Sequence, residues 1–316
     1  MKVLANDGLA KSGIAALGLN GFEVDLTSVA QDQLVDYINQ NEIDVLLVRS
    51  ATQVRKDIID NCASLKIIGR GGVGMDNIDV EYAREKGLHV INTPAASSHS
   101  VAELVFAHLF GMARFLHDSN RNMPLEGDSK FKHLKKSYAK GIELRGKTLG
   151  LIGFGRIGQA TAKIAIGLGM NVVAYDPFID AVNLEIEFFD HQALFFNINT
   201  ITKEEVLKQS DFISLHVPAQ KDYVISTKEF DLMKDSAFLV NAARGGVIDE
   251  VALVQALESG KIASAALDVF ENEPTPEIQL LMNPNLSLTP HIGAATSEAQ
   301  DRIGTELAEQ IIELLK

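Results

Sequence analysis

Short apolar runs alternate with amphipathic stretches along this chain, and the alternation comes in two series. In the first, KVLAND (2–7), FEVDL (22–26), DVLLVRS (44–50), LKIIGRG (65–71) and LHVINTP (88–94) each read as a buried strand. Helical spacing predicts helices between them, over 33–41 and 80–86. A longer helix is predicted over about 100–117, with apolar residues at 101, 104, 105, 109 and 112. The second series is TLGLIG (148–153), NVVAYD (171–176), DFISLHV (211–217), AFLVNAA (237–243), SAALDVF (264–270) and NLSLTP (285–290). That is six strands, the number a dinucleotide-binding sheet uses. A last helix is predicted over 297–315, with apolar residues at 303, 307, 311 and 314. Strand–helix alternation with short turns implies parallel sheets covered on both faces, so the fold class is α/β with two doubly wound domains.

Two segments stand outside the pattern. Residues 118–147 are polar, with the basic run KFKHLKKSYAK, and read as a solvated connection between the sheets. Residues 186–200 (IEFFDHQALFFNINT) are long and aromatic for a link between a strand and its successor.

Composition narrows the function. The chain has 316 residues, enough for two domains, and a formal net charge of −13 at pH 7. That balance argues against nucleic acid or an anionic membrane as partner, since both need a basic face. Cys62 is the only cysteine, so neither an intrachain disulfide nor a thiolate metal cluster is expected, and no metal site is assigned. The N-terminus MKVLAND enters a strand pattern without a signal-peptide pattern, and no apolar run reaches the roughly 18 to 20 residues needed to span a bilayer. A soluble, cytoplasmic protein is expected.

The first strand of the second series runs into Gly153-Phe154-Gly155-Arg156-Ile157-Gly158. A lone GxGxxG is weak, but here it follows a strand, opens a helix and lies 18 residues before Asp176, which ends the next strand. Gly153 permits the tight turn, Gly155 lets the backbone approach a pyrophosphate, and Gly158 lets helix and strand pack closely. The helix N-terminus offers free N–H groups to the phosphates. A carboxylate at 176 can accept both ribose hydroxyls and repels a 2′-phosphate, which points to NAD rather than NADP.

Three more residues follow later strands: Arg244 in NAARGGVIDE, Glu273 in ALDVFENEP and His291 in LTPHIGAAT. Open α/β sheets gather their ligands at these carboxyl ends. Oxidising a 2-hydroxy acid requires removal of its hydroxyl proton, work that suits histidine. A carboxylate beside the imidazole holds one tautomer. An arginine grips the substrate carboxylate with two parallel hydrogen bonds. The remaining histidines, including His99, His108 and His117, have no matched partners and read as structural or surface residues.

These stretches, with GKTLGLIGFGRIG, resemble the D-isomer-specific 2-hydroxyacid dehydrogenases over essentially the whole chain. The spacing fits too, with 29 residues from Arg244 to Glu273 and 18 from there to His291. The resemblance implies His291 as acid/base, Glu273 tuning it and Arg244 binding substrate. It implies NAD contacts from Arg156, Ile157, Asp176, Pro177, His216, Val217, Pro218, Ala242, Ala243, Asp268, His291 and Gly293, beside the three glycines. It also implies a Rossmann NAD-binding domain over 97–289 and a discontinuous flavodoxin-like substrate domain over 1–96 and 290–316. A homodimer through the long helix after residue 97 is implied as well.

Within the family, the first domain is most similar to the D-3-phosphoglycerate dehydrogenase branch, through VRSATQV (48–54) and GRGGVGMDNID (69–79). Arg49, Ser50, Arg70, Gly71, Gly72 and Val73 become candidate substrate contacts, with both arginines at strand ends for a phosphorylated 2-hydroxy acid. Val73, Ser97 and Phe131 depart from the residues usual there, which are threonine, asparagine and tryptophan. Lys132, Lys135 and Lys136 are candidates to reach a partner's active site. Two further readings use the same motifs: a glyoxylate or hydroxypyruvate reductase, and an NAD-binding corepressor, which the lack of interaction tails disfavours. Longer members of the branch carry a serine-binding domain past the last helix. Since this sequence ends at Lys316, no inhibition by serine is expected.

Overall fold

The computed structural model describes residues 1–316. It divides into two compact units, Met1–Ser100 with Ala294–Lys316, and Val101–Gly293.

The first unit opens with β1 (Lys2–Ala5), α1 (Lys11–Leu19), β2 (Glu23–Asp25), α2 (Leu34–Asn41), β3 (Val45–Val48), α3 (Lys56–Asn61), β4 (Ile67–Arg70), α4 (Val80–Glu85) and β5 (His89–Asn92). The five strands pair in the order β2-β1-β3-β4-β5, and every pair is parallel. Alternate residues of each central strand serve opposite faces, as a two-sided sheet requires. Leu4, Leu46 and Ile68 pack with Leu34, Ile38 and Ile58 on one face. Val3, Val45, Leu47 and Ile67 pack on the other with Ile303, Leu307 and Ile311 of the terminal helix. The apolar spacing of that helix therefore finds its core here.

The second unit contains most of α5 (Ser98–Ala113), then α6 (Leu116–Ser137), β6 (Thr148–Ile152), α7 (Arg156–Gly167), β7 (Asn171–Tyr175), β8 (Ala181–Glu187) and β9 (Ala193–Asn199). It continues with α8 (Lys203–Gln209), β10 (Phe212–Leu215), α9 (Thr227–Leu232), β11 (Phe238–Asn241), α10 (Glu250–Glu258), β12 (Ser264–Leu267), α11 (Ile278–Leu281) and β13 (Leu286–Leu288). The chain then returns to the first unit as α12 (Ser297–Leu315). Six parallel strands pair in the order β7-β6-β10-β11-β12-β13, the six that the alternation predicted. The strand order reverses between β6 and β10, the switch point at which such sheets bind ligands. Ile213, Leu239 and Leu267 supply one core face. Leu149, Phe212 and Val240 supply the other, beneath Val105 and Leu109 of α5.

Two segments differ from the sequence reading. The polar stretch after residue 115 is helical rather than an open connection, with Leu134 its only buried residue. It carries Pro124 inside and non-helical angles at Lys130, so no apolar stripe of regular period marks it. The aromatic segment is an antiparallel hairpin of β8 and β9, with Leu184 opposite Phe196. Val182, Leu184, Phe196 and Ile198 turn into the α5–α7 core, while Phe189 is 98% exposed and Phe195 60%. The hairpin's exit ties to β7 through the Ile201 N–H, which donates to Ala174 O at 2.8 Å.

Candidate active site

The glycine motif leaves β6 as its first position predicts. Gly153 has φ +94°, which side-chain-bearing residues rarely adopt, and a Cβ there would collide with the His216 carbonyl at the exit of β10. A Cβ on Gly158 would strike Gly153 O, so α7 can approach the turn only with glycine there. At Gly155, by contrast, a Cβ would meet no atom, so the face of the loop is open. Gly155 is the N-cap residue of α7, whose first N–H groups lie just beyond it. Asp176 follows β7 and accepts from Phe154 N (2.8 Å) and Phe178 N (2.9 Å). Each carboxylate oxygen keeps a lone pair for a ribose hydroxyl. An open glycine turn, a helix N-terminus and an anchored carboxylate at the switch point fit a dinucleotide. His216 adds no cation: its ring nitrogens are sealed from solvent, and burial pushes the imidazole down to about 3.

The catalytic candidates follow β11, β12 and β13 of the same sheet. His291 Nδ1 lies 2.8 Å from Glu273 Oε2, with both side chains about one third exposed. Glu273 Oε1 accepts from Phe270 N at 3.0 Å. Burial opposes ionisation of Glu273, but the bonds from His291 and Phe270, with the charges of His291 and Arg244, hold its pKa below the usual value. A carboxylate that accepts from Nδ1–H leaves Nε2 as the basic nitrogen of a neutral ring. Arg244 is anchored by its own backbone, since Nη1 donates to Ala243 O and Asn241 Nδ2 donates to Arg244 O. His291 itself has φ +54°, a conformation that costs a non-glycine residue about 1 kcal/mol or more. The buried Asp268 meets the adjoining backbone, accepting from Ile292 N and Gly293 N at 2.8 Å each.

In the first unit, Arg49 directly follows β3 and Arg70 ends β4, and these strands are neighbours. Sequence reading missed what braces them. Asp7 accepts from Arg49 N and from both the N–H and hydroxyl of Thr52, while Asn77 donates to Arg49 O and Thr52 O. A Cβ on Gly71 would press on Ile303 of α12, and one on Gly72 would collide with the Arg70 guanidinium. Ser50 and Val73 are exposed in the same loops. The signal for Asp7 was its place just past β1, beside β3 in the sheet, but only the strand order reveals it.

A cavity of about 470 Å³ opens elsewhere in the second unit, lined by Phe115, Lys140, Lys147, Phe238 and Leu286. Lys147, Phe238 and Leu286 lie at the amino ends of their strands, opposite the carboxyl ends that carry the catalytic candidates.

Comparison with known proteins agrees with this geometry. Residues 106–293 match the D-isomer specific 2-hydroxyacid dehydrogenase, NAD binding domain. The chain is 46% identical over 321 residues to a hydroxypyruvate reductase of Thermotoga maritima, spanning 99% of this chain and 98% of that one. It is 44% identical to a D-3-phosphoglycerate dehydrogenase of Methanocaldococcus jannaschii, spanning 100% of this chain but 58% of that relative. The TT0316 protein of Thermus thermophilus superposes with a TM-score of 0.86 at 30% identity, covering 100% and 97% of the two chains. The D-lactate dehydrogenase of Aquifex aeolicus, complexed with NAD and lactic acid, gives 0.75 at 27%, covering 100% and 95%. The chain belongs to the D-isomer specific 2-hydroxyacid dehydrogenases, its second unit is that family's NAD-binding domain, and its chemistry is NAD-dependent oxidoreduction of D-2-hydroxy acids.

Proposed function

We propose that the substrate is D-3-phosphoglycerate, oxidised to 3-phosphohydroxypyruvate as the first step of phosphorylated serine biosynthesis. Bound NAD supplies the hydride acceptor for C2. His291 takes the hydroxyl proton at Nε2, the nitrogen that its bond to Glu273 leaves basic. Glu273 stays ionised and stabilises the imidazolium that results. Arg244 pairs with the substrate carboxylate and polarises the forming carbonyl. Arg49 and Arg70 take the phosphate.

The observation that carries the substrate choice is the pair of arginines at the carboxyl ends of neighbouring strands, in loops that Asp7 and Asn77 brace. A single carboxylate needs one bidentate arginine; a phosphate has acceptors for two more cations. The test is NADH oxidation with phosphohydroxypyruvate, hydroxypyruvate and glyoxylate. The expected result is a kcat/KM at least tenfold higher for the phosphorylated compound, and equal values would remove the reading.

The second reading, a hydroxypyruvate reductase, draws support from the Thermotoga relative, which matches along nearly its full length. The same panel separates the two. We further propose a homodimer through α5 and the helix that follows, where Phe110, Leu116, Leu125 and Phe131 are exposed. Lys132, Lys135 and Lys136 on α6 are then candidates to serve the partner subunit's site. Sedimentation equilibrium of the wild type and a Phe110→Glu variant checks the assembly.

A further inference from the structure

His108 lies on α5, far in sequence from the catalytic motifs, and is 4% exposed. Both its ring nitrogens are engaged: Nδ1 lies 2.9 Å from Ser287 Oγ, and Nε2 lies 3.1 Å from Thr289 Oγ1. The tautomer follows from the next bond. Thr289 spends its single hydroxyl hydrogen on Asp268 Oδ1, at 2.6 Å. Its oxygen can then only accept from His108, so Nε2 carries the ring hydrogen and Nδ1 accepts from Ser287. Asp268 Oδ1 also accepts from Ile292 N, and Oδ2 from Gly293 N. These are the two residues after His291, whose backbone is held at φ +54°.

We propose that His108 is a positioning residue: its Nε2–H fixes the Thr289 hydroxyl, which turns Asp268 toward the Ile292 and Gly293 amides and so holds His291 in its left-handed, working conformation. The chain of bonds is continuous and largely part-buried, from α5 through Thr289, just past β13, to the loop that carries the acid/base. Without the donor at 108, the Thr289 hydroxyl is free to rotate, and Asp268 loses one of the three hydrogen bonds that set its rotamer. Ser287 donates to the Nδ1 that this tautomer leaves bare, so it satisfies the other side of the ring. The effect on turnover rests on the acid/base role of His291 proposed above.

Two amide substitutions divide the ring's functions. His108→Gln places an N–H near the position of Nε2 and keeps the bond to Thr289. His108→Asn reaches only as far as Nδ1 and loses it. The expected result is a kcat within about threefold of wild type for the Gln variant and a fall of about tenfold for the Asn variant, with NADH affinity unchanged in the Gln variant. Thr289→Val should match the Asn variant, and combining the two should cost no more than either alone. Equal losses in the Gln and Asn variants, or fully additive losses in the double variant, would overturn the proposal in favour of a packing role. NMR of imidazole-¹⁵N-labelled protein reads the tautomer independently of activity: protonated Nε2 at His108 is expected, and protonated Nδ1 would overturn it. The amide signals of Ile292 and Gly293 should shift in the Asn variant and stay in place in the Gln variant. If His291→Asn retains turnover while these signals behave as expected, the acid/base assignment fails and the hydrogen-bond relay stands.

Discussion

Glu273 and His291 form a 2.8 Å pair in which the carboxylate is also anchored by the Phe270 amide. The anchoring gives the imidazole a fixed tautomer and direction rather than a freely rotating neighbour. His291→Asn should therefore lower kcat by about 10²-fold or more, the range for a positioned acid/base. Glu273→Gln, which keeps the shape and removes the charge, should lower it by about tenfold or more. Fluorescence titration should show that both variants still bind NADH. Near-normal turnover by the Asn variant would eliminate this mechanism.

Asp176 faces the cofactor turn with both oxygens tied to backbone amides, so it cannot swing away from a 2′-phosphate. Repulsion of about 1.4 kcal/mol already amounts to a tenfold preference. The kcat/KM for NADH should exceed that for NADPH by at least that factor, and Asp176→Ser should narrow the gap. Comparable values in the wild type would contradict the assignment.

Replacing Arg49 or Arg70 by alanine should raise KM for phosphohydroxypyruvate about tenfold or more, since charge-assisted bonds contribute about 1.5–3 kcal/mol. KM for NADH should barely move. Equal effects on hydroxypyruvate and phosphohydroxypyruvate would show that neither arginine reads the phosphate.

Stability should fall in acid through buried histidines. Burial holds His216 near 3, and burial also lowers His108, against the opposing charge of Asp268. An unfolded histidine titrates near 6.5, so below that pH the unfolded chain binds more protons than the native one. Stability is then lost as pH falls from about 6.5 toward the folded values, by at most about 1.4 kcal/mol per pH unit for each group. Tm measured from pH 7.5 to 4.5 should fall more steeply in wild type than in His216→Gln. Parallel curves would rule out this origin.

Cys62 should be inert. It is 2% exposed, and burial, with the nearby charge of Asp57, raises its thiol to about 11. Only the thiolate is nucleophilic, so iodoacetamide at pH 8 should label it only after denaturant is added. Rapid labelling of the native protein would show local opening around α3.

The parts of this protein that were legible in the sequence are those with a local signature. Alternation gave all eleven parallel strands, and GxGxxG marked the tight turn from β6 into α7 because Gly153 and Gly158 each have a steric task there. The hairpin was missed although Val182, Leu184 and Ile186 alternate with polar residues, because Phe188-Phe189 and the run 193–196 break that period. The helix over Leu116–Ser137 was missed because only Leu134 is buried, leaving no periodic stripe. Asp7, Asn77 and His108 were illegible for a different reason. Each acts on residues more than twenty positions away, through neighbours that only the sheet order supplies.

A strand at the rim of a sheet offers unpaired N–H and C=O groups to any extended peptide that meets it. In the second unit β7 is such a strand, and the hairpin's return stretch, Thr200 and Ile201, pairs with it at Ala174. The rest of the hairpin lies over the neighbouring core rather than extending the ladder. The hairpin's exit thus blunts a template for self-association, while phenyl rings of the hairpin are left in water. Damage to it, such as proline at Ile201, should appear first as aggregation during expression, in protein whose surviving soluble fraction still turns over substrate normally.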